Sequence, residues 1–359
     1  MKQLFTKTMA VWLIAAVLLS AAGSAVLLFS LSLQSRSALS PQATAREWQA
    51  GSDDRMSMIS AFFDTDAKVT VQDIYSFRES IGRKLDEASI TNEIPDTRLY
   101  IDCWAAHGTV YAETTRGSVE LEAFGVGGDF FYFHQLPLVD GWYFNDDESG
   151  ENSVVIDETA AWQLFGGSYV SGMTLTINSI PYTVSGVVGT EEGSGYDQAY
   201  GTSPHIYMSY GMYSRINGYD GAGADIISYE LVMPSPVTNF AYSFVSDTFG
   251  RKPPQAAYVE NTGRYSAMKL YGRLSEFFSR SLKTDRVTYP YWENTAAVTA
   301  DICAVLLLLQ TIFFASAIII AVVIAIIIIV RLVPRAVKIK DKAVDRIEEM
   351  SFRPAGPKP

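Results

Sequence analysis

The sequence predicts an α+β architecture: a two-lobed, mixed α/β extracytoplasmic domain between two transmembrane helices, the second extended as a stalk. Three observations predict it. Two apolar stretches without a charge, Ala10 to Leu33 and Cys303 to Val330, hold 24 and 28 residues, and each exceeds the ~20 residues a helix needs to cross a bilayer core. The chain between them carries 18 basic against 35 acidic residues, whereas the two ends carry 10 basic against 4 acidic. Within that acidic stretch, apolar residues recur with period two in some segments and with helical spacing in others, which calls for both strands and helices.

Orientation follows from the flanking charges. Lys2 and Lys7 precede the first apolar stretch, and Arg331, Arg335, Lys338, Lys340, Lys342 and Arg346 crowd the exit of the second. The positive-inside rule then places both termini in the cytoplasm and the acidic middle outside, in a multi-pass protein of the cell membrane. A cleaved secretory signal is the competing reading of the N-terminus, with Gly23-Ser24-Ala25 as small residues at a cut site. The apolar run continues to Leu33, longer than a signal's 7 to 15 residue core, so an uncleaved anchor is expected. The expected division is a cytoplasmic N-terminus 1–9, first span 10–33, extracytoplasmic domain 34–292, stalk and second span 293–333, and basic cytoplasmic tail 334–359. About 270 residues between the spans is large for one average core and suits two lobes. Cys103 and Cys303 are the two cysteines, far apart in sequence, and read as buried thiols, with a disulfide as the alternative.

The elements follow in order. Ser35 to Asp54 reads as a polar linker and Met56 to Phe63 as a short buried strand. Thr70 followed by Asp73 is a helix N-cap signal, and Ile74, Phe77, Ile81 and Leu85 form one apolar face of a helix that runs to Ala88. Leu99 to Cys103, Val110 to Thr114 and Val119 to Phe124 read as a β-meander, with turns at His107-Gly108 and Arg116-Gly117. Val154 to Ile156 is a strand, Asp157 a cap, and Thr159 to Phe165 a short helix closed by Gly166-Gly167. Met173 to Ile177 and Tyr182 to Val188 form a hairpin around Asn178 to Pro181. Ile206 to Met208 and Ile226 to Met233 are further strands, the latter followed by a helix to Phe249. Ser266 to Leu282 carries a helical stripe of Met268, Leu270, Leu274, Phe277, Phe278 and Leu282. Tyr289, Pro290, Tyr291 and Trp292 suit the headgroup level before the second span. A helix over Asn294 to Val333 would extend ~60 Å, twice the hydrocarbon core.

Four segments carry a family resemblance. Leu138-Val139-Asp140-Gly141-Trp142-Tyr143-Phe144, then Ser153 to Ala161, Leu164-Phe165-Gly166, and Tyr182-Thr183-Val184-Ser185-Gly186-Val187-Val188 resemble the periplasmic core domain of MacB-type ABC transporter permeases. There a turn, a strand-helix of the form V.I.E..A..LFG and a strand of the form (F/Y).V.GV recur at similar spacing. The resemblance covers about 50 residues and implies the fold more strongly than an activity. It implies membrane partners: an ABC ATPase subunit and another permease-like membrane protein, in a homo- or hetero-oligomer. Permeases of that family have four spans, and two are read here. Either partner chains supply further spans, or the protein is a non-transporting, membrane-anchored module that binds or senses a partner.

Enzyme chemistry finds no foothold in the sequence. There is no G-x-x-x-x-G-K-[ST] run, and Gly125 to Gly128 lacks the lysine and hydroxyl that hold phosphate and Mg²⁺. No nucleophile elbow or Cys-His pair is recognisable. No catalytic residue, cofactor or metal ligand is assigned: His107, His134 and His205 read as ordinary turn or surface histidines, and Asp146, Asp147, Glu148 and Glu151, like Glu191, Glu192 and Asp197, as solvated loops. The acidic middle disfavours nucleic acid. After Pro334, expected to break the second span, Ala336, Ala343, Val344, Ile347 and Met350 fall near one helical face, a candidate surface for coupling to a partner. An interfacial helix resting on anionic lipid is the other reading.

Overall fold

In the computed structural model, residues 7–37, 43–49, 55–91, 98–144, 152–189, 200, 203–219, 223–250, 255–280 and 289–351 are described. They run α1 (Lys7–Ser37), α2 (Thr44–Gln49), β1 (Met56–Phe63), α3 (Val71–Glu87), β2 (Ile101–Thr114), β3 (Gly117–Gly128), α4 (Phe130–Phe133), β4 (Leu138–Gly141), β5 (Ser153–Asp157), α5 (Glu158–Phe165), β6 (Thr174–Ile177), β7 (Ile180–Val188), β8 (His205–Ser209), α6 (Tyr210–Ile216), β9 (Ser228–Pro234), α7 (Phe240–Phe249), β10 (Ala256–Glu260), α8 (Ala267–Arg280) and α9 (Tyr291–Ser351). The chain divides into two units, Leu33–Cys303 and Met1–Ser32 with Ala304–Pro359.

Local chemistry starts and stops these elements as the sequence predicts. Thr70 and Asp73 form a reciprocal capping box at the head of α3, and Ile74, Phe77, Ile81 and Leu85 are its buried face. Asp157 caps α5 through the amide of Ala160 at 2.7 Å, and Gly166 ends it at φ 86°, a left-handed position that glycine adopts without strain. Asn178 and Ser179 both have positive φ, the paired left-handed turn that matches the twist of the β6–β7 hairpin.

One mixed sheet carries all the strands. Its order is β10-β1-β9-β2-β3-β8-β5-β7-β4, and β6 pairs with both β2 and β7. The strands β2, β3, β8, β5, β7 and β6 therefore close a ring, while β10, β1 and β9 extend outward from β2. Strand alternation sorts side chains onto two sides. On the first, Ile59, Ala61, Phe63, Tyr229, Leu231 and Leu121 share a buried cluster with apolar residues of α3, α5, α6 and α7. On the second, Met58, Cys103, Phe124, Val155, Tyr207 and Val232 pack with residues of α2, α4 and the first turn of α9.

Five expectations need correction. His107-Gly108 is no turn but part of one 14-residue strand, where His107 pairs with Phe124 and Gly108 with Ala123. The absent Cβ of Gly108 leaves room for the Tyr213 hydroxyl, which explains glycine in a strand interior. The linker contains α2, seated against β1 with Thr44 and Ala45 buried. β10 was not anticipated; its five residues are too short to show a period, and it forms by antiparallel pairing with β1. In the α8 stripe, Leu270 is buried but Met268 is 87% exposed. Finally, α9 runs through Pro334 to Ser351. Proline removes one amide and costs roughly 3 kcal/mol in a helix interior, yet long apolar helices tolerate that loss through their neighbours.

In the second unit, α1 and the later turns of α9 lie side by side. A Cβ on Gly23 would come within 3.1 Å of the Phe314 ring, and Arg331 reaches Met9 Sδ at 3.5 Å. Lys7–Gln34 and Tyr291–Asp345 are helices long and apolar enough to cross a membrane. Cys103 and Cys303 are both buried, and no disulfide joins them.

Candidate functional site

Pleating places two groups of ionisable side chains on the second side of the sheet, among aromatic rings. The first group is built on three neighbouring strands. Ser60 of β1 lies directly opposite Glu230 of β9, and Glu230 directly opposite Cys103 of β2. Ser60 donates to Glu230 Oε1 at 2.6 Å. The single turn of α4 presents His134, whose Nε2 lies 2.5 Å from Glu230 Oε2, and Cys103 Sγ is 3.8 Å from the same oxygen.

From this group a chain of bonds leads to the first turn of α9. Asn261 Nδ2 donates to Ser60 Oγ at 2.7 Å, and Arg264 Nη1 donates to Asn261 Oδ1 at 3.1 Å. Arg264 then clasps Glu293 with its two terminal guanidinium nitrogens, Nη1 and Nη2, at 2.7 and 2.6 Å. Arg264 and Glu293 are both buried, so this fork-to-fork pair is a directional lock that neither partner can leave without exposing an unpaired charge. Trp292 covers the His134 ring, with centroids 4.5 Å apart.

The second group sits on β2, β3, β8 and the end of β5. His107 Nε2 meets Glu122 Oε1 at 2.8 Å. His205 lies between two carboxylates, its Nδ1 3.3 Å from Asp157 and its Nε2 3.1 Å from Glu122, the latter at an angle unsuited to a hydrogen bond. Tyr200 donates its hydroxyl to Asp157 at 3.1 Å. The hydrogen bond from His107, and then the close approach of His205, hold the Glu122 carboxyl down at about 2. Burial alone would lower His205, but its hydrogen bond to Asp157 and the nearby Glu122 carboxylate outweigh it and raise its pKa. Phe124 stacks on His205 and on Tyr207, and the Tyr207 hydroxyl bonds that of Tyr291 at 2.8 Å.

Both groups thus terminate on the same turn, Tyr291 to Glu293. Burial pushes the Cys103 thiol well up, with Glu230 adding to the effect, so with no cation beside it the thiol keeps its proton. The arrangement is suited to gripping a helix rather than to turning over a substrate.

The three histidines therefore differ from the expectation of turn or surface residues: His134 and His205 are buried, and all three face carboxylates. Tyr291 and Trp292 likewise lie in a protein core, 6% and 4% exposed. A signal was present in the sequence: Glu230 sits inside the apolar strand Tyr229 to Met233, and His107 and Glu122 stand two residues from Ala105 and Phe124, on the same face as those core positions. Of the proposed coupling face, Ala343 and Val344 are exposed positions of α9; the side chains of Ala336, Ile347 and Met350 lie outside the described ones. The acidic residues 146–148, 151, 191, 192 and 197 also lie outside the described residues.

A family model described as the MacB-like periplasmic core domain matches residues 13–238. Among solved structures, the chain is similar to the extracellular domain of the noncanonic ABC-type transporter YknZ from Gram-positive bacteria, at 17% identity over 56% of this chain and 98% of that one, with a TM-score of 0.38. It is also similar to the periplasmic region of MacB from Actinobacillus actinomycetemcomitans, at 15% identity over 63% of this chain and 94% of that one, with a TM-score of 0.40. No curated protein matches the chain.

Proposed function

Since this chain belongs to the family of the MacB-like periplasmic core domain, we propose that it is an ABC-transporter permease-like membrane subunit. In this reading its domain and last helix work with an ATPase and further spans on partner chains, which perform any ATP hydrolysis. The observation that carries it is the grip on the first turn of α9, where Arg264 holds Glu293 and Tyr207 holds Tyr291. A helix held this firmly cannot rotate or slide at that turn without disturbing the sheet, which is what a coupling element requires.

The topology is proposed with it: both termini cytoplasmic, residues 10–33 and the second apolar run within 293–333 spanning, residues 34–292 outside, and the tail 334–359 inside. Ala336, Ala343, Val344, Ile347 and Met350 are proposed as the face that meets a cytoplasmic partner. An impermeant thiol reagent on intact cells should modify a cysteine placed at Ser149 and leave one at Ser351 untouched, in a background lacking Cys103 and Cys303. Deleting Lys338 to Pro359 should abolish co-purification of an ABC ATPase while membrane insertion persists. Equal recovery of the ATPase by the truncated chain would remove the tail from the coupling path.

A further inference from the structure

We propose that Cys103, His134 and Glu230 form a binding site for a divalent zinc-like cation, held inside the domain against the first turn of α9. Their ligand atoms lie within 4.8 Å of one another and all three residues are buried. Sulfur, imidazole nitrogen and a single carboxylate are the donor set of zinc, whereas Ca²⁺ and Mg²⁺ take oxygen ligands.

Charge argues for the same ion. A divalent cation with one thiolate, one carboxylate and one neutral imidazole is neutral overall, so it can occupy an apolar interior without an uncompensated charge. The fit requires a small movement. Bonds of ~2.0 to 2.3 Å in a tetrahedron put ligand atoms about 3.3 to 3.6 Å apart. The sulfur-to-carboxylate distance of 3.8 Å is near that already, while the His134 to Glu230 contact of 2.5 Å must open by roughly 1 Å. His134 follows a four-residue helix rather than standing on a strand, so it is the ligand whose shift breaks no strand pairing.

The remaining carboxylate oxygen is fixed by Ser60, as ligating carboxylates in metal centres are fixed by a hydrogen bond from outside the ligand set. On binding, the thiol proton leaves to solvent, and the proton between Nε2 and Oε2 moves off Nε2, to Nδ1 or to solvent. Three dative bonds from the chain and a fourth from a water molecule replace them, with no change of oxidation state. Affinity should rise with pH because those protons compete with the metal.

The test uses the full chain without a histidine tag, produced in zinc-supplemented cells, purified in detergent and dialysed against a weak chelator. Elemental analysis should find about one zinc per chain, falling roughly tenfold or more in Cys103→Ser. Chain produced with Co²⁺ in place of zinc should show a thiolate-to-cobalt charge-transfer band together with the visible bands of a tetrahedral ion. The cobalt spectrum decides the matter on the unaltered protein should Cys103→Ser fail to fold. Zinc-free chain, equal zinc in Cys103→Ser, or cobalt bound without the thiolate band would each overturn the assignment.

Discussion

The two sides of the sheet are made by alternate residues of the same strands, yet they are held by different physics. On the first side, Phe77 of α3 stacks on Phe249 at 4.4 Å and meets Tyr229 edge-on at 5.3 Å, and the helices lie on a largely apolar surface in which one buried carboxylate, Asp102, is held by Arg78 of α3 and by the Tyr229 hydroxyl. On the second, Glu230 faces His134, Glu122 faces His107 and His205, and Arg264 holds Glu293, all among aromatic rings. Apolar packing is non-directional and accepts many arrangements of similar volume. Buried charge pairs and hydrogen bonds accept few, because each lost partner leaves a desolvated group behind. The first side has one such set, Arg78 with Asp102 and Tyr229; the side that carries the start of α9 has most of them and is the one more fully built to fix one orientation.

The largest effects should appear where each side is cut at its centre. Arg264→Ala strands a buried Glu293 and is expected to destabilise the domain by about 3 to 5 kcal/mol. Phe77→Ala on the first side should cost a similar ~3 to 5 kcal/mol through lost burial and a cavity. The two separate in a double variant: Arg264→Met with Glu293→Met should recover much of the loss, since replacing both partners of a buried pair by apolar side chains of similar volume is often nearly neutral. Denaturant unfolding of the full chain in detergent measures both, and an unrescued double variant would show that the guanidinium matters for packing rather than for charge.

One step down, Ser60→Ala deprives Glu230 Oε1 of its donor and should cost ~1 to 3 kcal/mol, against ~0.5 to 1.5 kcal/mol for Ile81→Val across the sheet. A cost for Ser60→Ala below that of Ile81→Val would contradict the difference between the sides.

Titration gives a sharper contrast. Glu122 has its pKa held at about 2 in the fold against an ordinary 4.5, so its contribution is present above about 4.5 and is lost as pH falls toward 2. His205 is raised above its ordinary 6.5, so its contribution is present below 6.5 and is lost as pH rises through the folded value. His107, Asp157 and Tyr200 face these groups and complete the set. Melting temperature should therefore decline on both limbs, and Glu122→Gln should flatten both, whereas Phe77→Ala should shift the whole profile without changing its shape. Parallel profiles for wild type and Glu122→Gln would dissolve the contrast. The smallest effect belongs to Lys68→Ala: its partner is Asp225, but the lysine side chain is 69% exposed, and solvent screening should leave the transition unmoved.

How much of this could be read in advance depended on how local the cause was. Thr70 with Asp73, Asp157 with Gly166, and Asn178-Ser179 act over a few residues, and α3, α5 and the β6–β7 hairpin were legible from them. The family fold was legible from the spacing of segments 138–144, 153–166 and 182–188, and the match over 13–238 bears it out. His107-Gly108 misled because a turn-forming pair can also serve a strand whose glycine admits a ring from elsewhere, here that of Tyr213. The polar network was hidden for a related reason: His134 and Glu230 are 96 residues apart in sequence, and Arg264 and Glu293 are 29 apart on different elements. Each looks like an ordinary polar residue until the strands pair.

The place of β1 in the sheet has a consequence for how the chain is made. β1 lies between β9 and β10, so its nearest partners in space, such as Glu230 for Ser60, are synthesised 170 residues later. A wholly buried eight-residue strand must wait through the emergence of most of the domain with both its edges open. Local units such as the β6–β7 hairpin can close at once, whereas the sheet's outer strands assemble last, at high loop-closure cost. Until then Met56 to Phe63 is an unpaired apolar edge of the kind that sticks to other chains. Production yield of this protein should thus be governed less by its final stability than by what shelters that strand during export.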